Sequence, residues 1–357
     1  KVLMTYGGGS IRSNGVYDQV KAALAQRHVV EFGGIQPNPE YRTLMEAVQL
    51  ARAEKAEFLL AVGGGSVLDG TKFIAAAIPF EGEPWDIVQK GAEVKSAVPL
   101  GSVLTLPATG SEANPFAVIS RSETGEKLAF SSPHVYPKFS VLDPETTFSL
   151  PPRQVANGIV DAFVHTMEQY LTFPANAELN DRFAESILQT LVEIGPKTLA
   201  NPTDYDARAT FVWTATMALN GLIGCGVPQD WATHMIGHEL TALYGIDHAR
   251  TLAVVAPHLY RVLRRDKAAK LLQYGERVWG IREGSDEDRI EAAIRRTEEF
   301  FESLGVPTRL ARYEGVRPDT PREVAQRLKQ RGMEKLGERG AVAPPVVEEI
   351  LQRSLAA

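Results

Sequence analysis

L-L-A-V-G-G-G-S-V-L-D-G-T-K, residues 59–72, decides the fold: an apolar run of strand length breaks into three glycines and then into a helical pattern. Glycines at such a turn let the backbone approach a phosphate closely. The helix start that follows offers free N–H groups and the positive end of its dipole. The motif is neither G-x-G-x-x-G nor a Walker A loop, so neither a standard Rossmann site nor an ATP loop follows from it. Two similar loops, T-Y-G-G-G-S (5–10) and L-P-A-T-G-S-E-A-N (106–114), also follow apolar strand patterns. Loops at the carboxyl ends of strands are where α/β sheets hold ligands, and three together point to a dinucleotide.

The same alternation runs from the first residue to about 147. V-L-M-T-Y (2–6), H-V-V-E-F (28–32), F-L-L-A-V (58–62), L-G-S-V-L-T-L (100–106) and F-S-V-L-D (139–143) read as strands, with amphipathic helical patterns between several of them. That is the pattern of a parallel sheet covered by helices. S-L-P-P-R (149–153) marks a boundary, and beyond it the periodicity is helical almost to the end. The expectation is therefore an α/β dinucleotide-binding domain over 1–148 and an all-α metal-binding and catalytic domain over 149–357.

The 357 residues suffice for two full cores, and 44% hydrophobic with 23% charged residues is the composition of a soluble globular protein. A net charge of -6 argues against nucleic acid or an anionic membrane as partner, since both need clustered Lys and Arg. No apolar run approaches the roughly 18 residues of a membrane span. The single cysteine, Cys225, excludes an internal disulfide and fits a reducing, cytoplasmic setting; its surroundings L-I-G-C-G-V read as packing. The chain begins with a strand pattern and no initiator Met, which leads us to expect residues upstream of Lys1.

Chemistry concentrates in V-D-A-F-V-H (160–165) and D-W-A-T-H-M-I-G-H-E-L-T-A-L-Y-G-I-D-H (230–248). Asp161 and His165 are four apart, as are His234 and His238, so on helices each pair projects from one face. A carboxylate with imidazoles suits Zn²⁺ or Fe²⁺. His248 lies 14 residues beyond His234, about 21 Å along an unbroken helix, so the helix must stop if both are to reach one ion. Gly245 is a suitable stop. Spacing does not decide between His238 and His248 as the fourth ligand. Met235 follows His234, which excludes the H-E-x-x-H zinc motif.

V-G-G-G-S-x-x-D-x-x-K (62–72), T-L-P-A-T-G-S-E (105–112), N-G-x-x-D-A-x-x-H (157–165) and H-x-x-x-H-x(9)-H (234–248), in that order, resemble the iron-containing (group III) alcohol dehydrogenases. The likeness is to their NADPH-dependent aldehyde reductase and butanol dehydrogenase branch and covers nearly the whole chain. It implies a metal between the two domains, with Asp161, His165, His234 and His248 as ligands and His238 as a catalytic non-ligand near the nicotinamide. It further implies that Gly63, Gly64, Gly65 and Ser66 hold the pyrophosphate, with Asn38, Asp69, Thr105, Thr109, Asn114 and Lys127 around the rest of the cofactor. Family members carry about one more strand and helix before the position of Lys1.

The expected activity is reversible reduction of short-to-medium aliphatic aldehydes by NADP(H), in a homodimer, with Fe²⁺ or Zn²⁺ polarising the carbonyl. The choice of NADP rests on Gly8 and Ser10: no carboxylate follows strand 2–6 before Asp18, and Arg12 is near enough to add charge if it turns inward. Alternatives are a dehydroquinate-synthase-like or glycerol-dehydrogenase-like enzyme of the same fold, or a non-catalytic metal- or nucleotide-binding protein. The first wants several cations for an anionic sugar phosphate, and 230–248 holds no Lys or Arg.

Overall fold

The computed structural model describes residues 1–356. They divide into two compact units, one of residues 1–151 with 202–216, the other of residues 152–201 with 217–356.

In the first unit, β1 (Val2–Tyr6), β2 (Val29–Phe32), β3 (Phe58–Gly64), β4 (Leu100–Leu106), β5 (Phe116–Arg121), β6 (Glu126–Ser131) and β7 (Ser140–Val141) alternate with α1 (Ser10–Ser13), α2 (Val16–Ala23), α3 (Tyr41–Glu54), α4 (Gly65–Ala77) and α5 (Trp85–Gln89). The sheet order is β2-β1-β3-β4-β7, every pair parallel. Both faces are buried, as a parallel sheet requires. Leu3, Leu59 and Ala61 pack into one apolar cluster, while their neighbours Met4, Leu60 and Val62 pack into the other. Because β1, β3 and β4 are adjacent, the three loops read from the sequence leave the same edge of the sheet side by side.

Two features depart from the expectation. F-A-V-I-S-R and E-K-L-A-F-S form an antiparallel hairpin, β5 with β6, where no strand was expected. The strand expected over 139–143 is reduced to Ser140–Val141, paired to β4 alone at the sheet edge. A longer difference concerns the boundary: Pro202–Thr216 groups with the first unit rather than with the helical one. Val212 joins the apolar cluster of the α/β core, and Thr216 Oγ1 donates to buried Glu112 Oε1 at 2.6 Å.

The other helices are α6 (Pro152–Tyr170), α7 (Glu178–Ala200), α8 (Tyr205–Ala218), α9 (Ala232–Tyr244), α10 (His248–Val262), α11 (Ala268–Trp279), α12 (Asp286–Ser303), α13 (Thr320–Gln330) and α14 (Pro344–Leu355). α6 starts on Pro152, whose missing N–H costs nothing in a first turn, and is buried on every side from Val155 to Tyr170. A helix buried all round can present polar side chains only to partners or to a ligand. Cys225 is exposed, which corrects its reading as packing. Among the described residues no helix is long and apolar enough to cross a membrane.

Candidate functional site

In the second unit α6 carries Asp161, His165 and Glu168 on one face, at successive turns. α9 carries His234 and His238 and ends at Tyr244, where Gly245 takes a left-handed φ of 65° and returns its N–H to Thr241 O at 2.9 Å. A side chain is strained in that conformation and glycine is not. The chain therefore reverses within three residues and α10 begins at His248. Asp247 secures that start: its Oδ2 accepts from Arg153 Nε and from Asn157 Nδ2, both at 2.8 Å, which fastens it to α6.

One ligand atom each from Asp161, His234 and His248 comes within 4.8 Å of the others. His165 stands beside them, its ring stacked on His234 at 4.7 Å and its Nε2 3.7 Å from Asp161 Oδ1. His238 is outside that trio, with its ring 5.1 Å from that of His248. Asp161 is 3% exposed, and its Oδ1 accepts no hydrogen bond. A carboxylate oxygen so placed is costly unless a cation meets it. The donor set, one carboxylate and imidazoles, fits a divalent ion of the zinc or iron kind.

Two residues that sequence reading missed complete the cluster. Glu168, 2% exposed, contacts His234 Nδ1 through Oε2 and accepts the Thr233 N–H at 2.6 Å through Oε1. Burial and the neighbouring Asp230 carboxylate push its carboxyl well above the ordinary range, while the Thr233 N–H and the His165 charge pull the other way. Trp231, the residue just before α9, has a left-handed φ of 64° and packs its ring edge-to-face 5.2 Å from His234. The signal for Glu168 was available: it lies two helical turns beyond Asp161, on the same face.

His258 does not belong to the site. It is 1% exposed on α10 and receives a hydrogen bond from Arg309 Nη1 at Nε2, 2.8 Å away. Burial and the Arg309 charge lower its pKa to about 4, against the weaker opposing pull of Glu298; the Arg261 charge also lowers it. The folded protein thus keeps His258 neutral to about pH 4, whereas an unfolded chain takes up the proton near 6.5. Stability falls as pH drops from 6.5 towards 4, by on the order of 3 kcal/mol at about 1.4 kcal/mol per pKa unit. His258→Leu should show a smaller drop in melting temperature between pH 7 and pH 5 than the unmodified protein, and equal drops would contradict this role.

In the first unit each glycine of the 63–65 turn is demanded by packing. A Cβ at Gly63 would meet Val67 at 2.6 Å, one at Gly64 would meet Leu106 at 2.9 Å, and one at Gly65 would meet Thr109 at 2.5 Å. No side chain caps α4, whose first-turn N–H groups point out of the turn. Ser66 Oγ accepts the Asn38 N–H at 3.3 Å, and Asn38 Oδ1 accepts from Lys127 Nζ at 3.0 Å, so these three residues are brought together. Thr105 lies near the carboxyl end of β4, 8% exposed.

Asp69 and Asn114 are also tied into the scaffold. Asp69 accepts from Ser111 Oγ at 2.6 Å and from the Val118 N–H at 3.0 Å. Buried Lys72 donates to Asn114 O, Asn114 Oδ1 and Phe116 O at 2.8, 3.1 and 2.8 Å, and burial lowers its pKa to about 8. Together they hold the 109–118 loop against α4. Gly8 has open space around its Cβ position, and Ser10 is exposed at the start of α1. Arg12 does not turn inward as the sequence allowed: its guanidinium lies 3.9 Å from the centre of the Tyr17 ring and donates to Tyr6 Oη at 2.8 Å. Glu31, the acid on β2, is engaged by Tyr17 Oη and Lys21 Nζ, each at 2.8 Å. Burial opposes its charge, but those hydrogen bonds hold its carboxyl below the usual range.

A parallel-sheet unit with three loops at the carboxyl ends of adjacent strands, and a helical unit with a carboxylate-imidazole cluster, are the parts of a dinucleotide- and metal-binding enzyme. The chain belongs to the iron-containing alcohol dehydrogenase family: the iron-containing alcohol dehydrogenase model matches residues 1–144, and the C-terminal model of the Fe-containing alcohol dehydrogenase family matches residues 155–353. NADPH-dependent aldehyde reductase YqhD of Escherichia coli (strain K12) is 61% identical to it over 355 residues, covering 99% of this chain and 92% of that protein. The crystal structure of E. coli K-12 YqhD superposes with a TM-score of 0.97 at 60% identity, covering 99% of this chain and 91% of that one. NADH-dependent butanol dehydrogenase A from Thermotoga maritima gives a TM-score of 0.95 at 36% identity, covering 100% of this chain and 91% of that one.

Proposed function

We infer that this chain is a metal-dependent, NADP(H)-linked alcohol dehydrogenase that works as an aldehyde reductase on short-to-medium aliphatic aldehydes. The observation that carries the reading is the convergence of Asp161, His234 and His248 around a buried carboxylate oxygen with no hydrogen bond of its own. Asp161, His165, His234 and His248 are the ligands in this proposal, and Gly8, Ser10, Asn38, Gly63 to Ser66, Thr105, Thr109 and Lys127 line the cofactor's place. Asp69 and Asn114 line it too, and they also fix the loop that carries Thr109.

When bound, the cation supplies Lewis acidity towards the carbonyl oxygen and NADPH supplies the hydride. The protein's own contribution is to fix donor geometry through two helices and a glycine-ended turn, to direct α4's N–H groups at a pyrophosphate, and to deliver a proton. His238 is the proton donor: it lies in van der Waals reach of His248, 5% exposed, and is outside the ligand trio. His238→Phe should retain the metal and lower kcat by about a hundredfold, the lower end of what general acid catalysis provides. Loss of metal in that variant would make His238 a ligand instead.

The same reading takes the protein as a cytoplasmic homodimer, a state that sedimentation at micromolar concentration checks. NADPH consumption on a panel of aldehydes with butanal at its centre tests the activity. A protein that holds its metal yet oxidises NADPH with none of them would overturn it in favour of a non-catalytic or dehydroquinate-synthase-like role.

A further inference from the structure

Glu168 reaches across from α6 to the first turn of α9 and meets two groups there. One is the Thr233 backbone N–H, among the amides that a helix start leaves without an intrahelical partner. The other is the Nδ1 face of His234. A neutral imidazole carries one proton, so a nitrogen that donates to a carboxylate leaves the opposite nitrogen with its lone pair. We infer that Glu168 is a positioning residue: by accepting the Nδ1 proton of His234 it fixes the tautomer and ring angle in which Nε2 faces Asp161 and His248 as a metal ligand. This rests on the ligand reading above and goes beyond it, because it assigns a role to a carboxylate outside the ligand set.

The surroundings hold Glu168 to that task. Its main-chain carbonyl accepts the Asp230 N–H at 2.8 Å, and Asp230 Oδ1 in turn accepts the Ala232 N–H at 2.8 Å, so the residues on both sides of Trp231 are tied down. Asp230 Oδ2 accepts from Lys267 Nζ at 2.7 Å, and Lys267 also donates to Leu171 O at 2.8 Å and to Glu338 at 3.0 Å. Both Lys267 and Asp230 are buried. The chain at 230–234 therefore has little freedom to let the imidazole turn. Such outer carboxylates raise ligand basicity as well as fixing orientation, and removing one commonly weakens metal binding 10- to 100-fold.

Glu168→Gln is the sharpest probe. The carboxamide has the shape of the carboxylate but places an NH2 donor where one of the two oxygens stood, so either the Thr233 N–H or the His234 Nδ1–H faces a donor instead of an acceptor. Metal affinity would be read by competing Zn²⁺ or Co²⁺ against a chelator, apo stability by thermal melting, and the His234 tautomer by 15N NMR of histidine-labelled apo protein. The expected result is Nδ1-protonated His234 in the unmodified protein and at least about tenfold weaker metal binding in Glu168→Gln, with an apo melting temperature near the unmodified value. Should that variant not fold, Glu168→Asp retains the charge one methylene further away, and intermediate weakening is expected. Unchanged metal affinity, or an Nε2-protonated His234 in the unmodified apo protein, would overturn the assignment. So would weakening matched by an equal loss of apo stability, which a helix cap alone explains. An unmodified protein that binds no metal fails the ligand reading itself, a result separate from the tautomer measurement.

Discussion

Replacing His248 by alanine is expected to strip the metal from the protein and abolish aldehyde reduction while leaving the fold intact. His248 is the first residue of α10, and its side chain is 23% exposed, so truncation leaves no sealed cavity and costs little packing. Its value lies in position. The left-handed turn at Gly245 and the clasp of Asp247 on Arg153 and Asn157 deliver the imidazole to Asp161, with His248 Nε2 3.8 Å from Asp161 Oδ1. Affinity should fall by more than about a hundredfold, since a lost ligand costs more than a lost outer-sphere partner. Metal analysis after desalting and a melting curve check this. A His248→Ala protein with full metal occupancy would give His238 the fourth ligand position.

The second large effect concerns the cofactor. An acidic side chain at a strand end bonds the adenosine ribose and repels a 2′-phosphate, which is how dinucleotide folds prefer NAD. The acid on β2, Glu31, is spent on Tyr17 and Lys21, and Gly7 to Ser10 present backbone N–H groups and a hydroxyl after β1. Arg12, packed on Tyr17, lends little charge, so the preference rests on the loop itself. NADPH should be favoured at least about tenfold in kcat/KM, about 1.4 kcal/mol of differential binding. Gly8→Asp should erode or reverse that preference. A Cβ there meets nothing within 4 Å, so the change adds charge without a clash. Equal efficiency with both cofactors in the unmodified protein would refute the reading of this loop.

How far the sequence revealed the molecule depended on what kind of signal each feature carries. β3 and its turn were legible because an apolar strand, glycines and a helix start are consecutive residues. The reversal at Gly245 was legible because a glycine follows the last periodic residue, and because two histidines 14 apart could share an ion only if the helix stopped between them. The β5–β6 hairpin was obscured by the polar loop before it and by charged residues such as Arg121 and Lys127 within its strands. The grouping of 202–216 with the α/β unit depends on the burial of Val212 and the Thr216 to Glu112 bond, contacts that no local pattern records. Glycines 63 to 65 give room for a phosphate in the sequence pattern, and the structure adds collisions with Val67, Leu106 and Thr109 as a second, independent demand. Glu168 was passed over because its partner His234 lies 66 residues away.

The central claim is that Asp161, His165, His234 and His248 hold a cation without which the protein cannot reduce an aldehyde. The most direct measurement removes the metal with a chelator, follows NADPH oxidation on butanal, and then titrates Fe²⁺ or Zn²⁺ back while counting bound ions. The account predicts no turnover in the stripped protein and recovery in proportion to bound metal, saturating at one ion per chain. Full turnover in protein shown to be free of metal would contradict it.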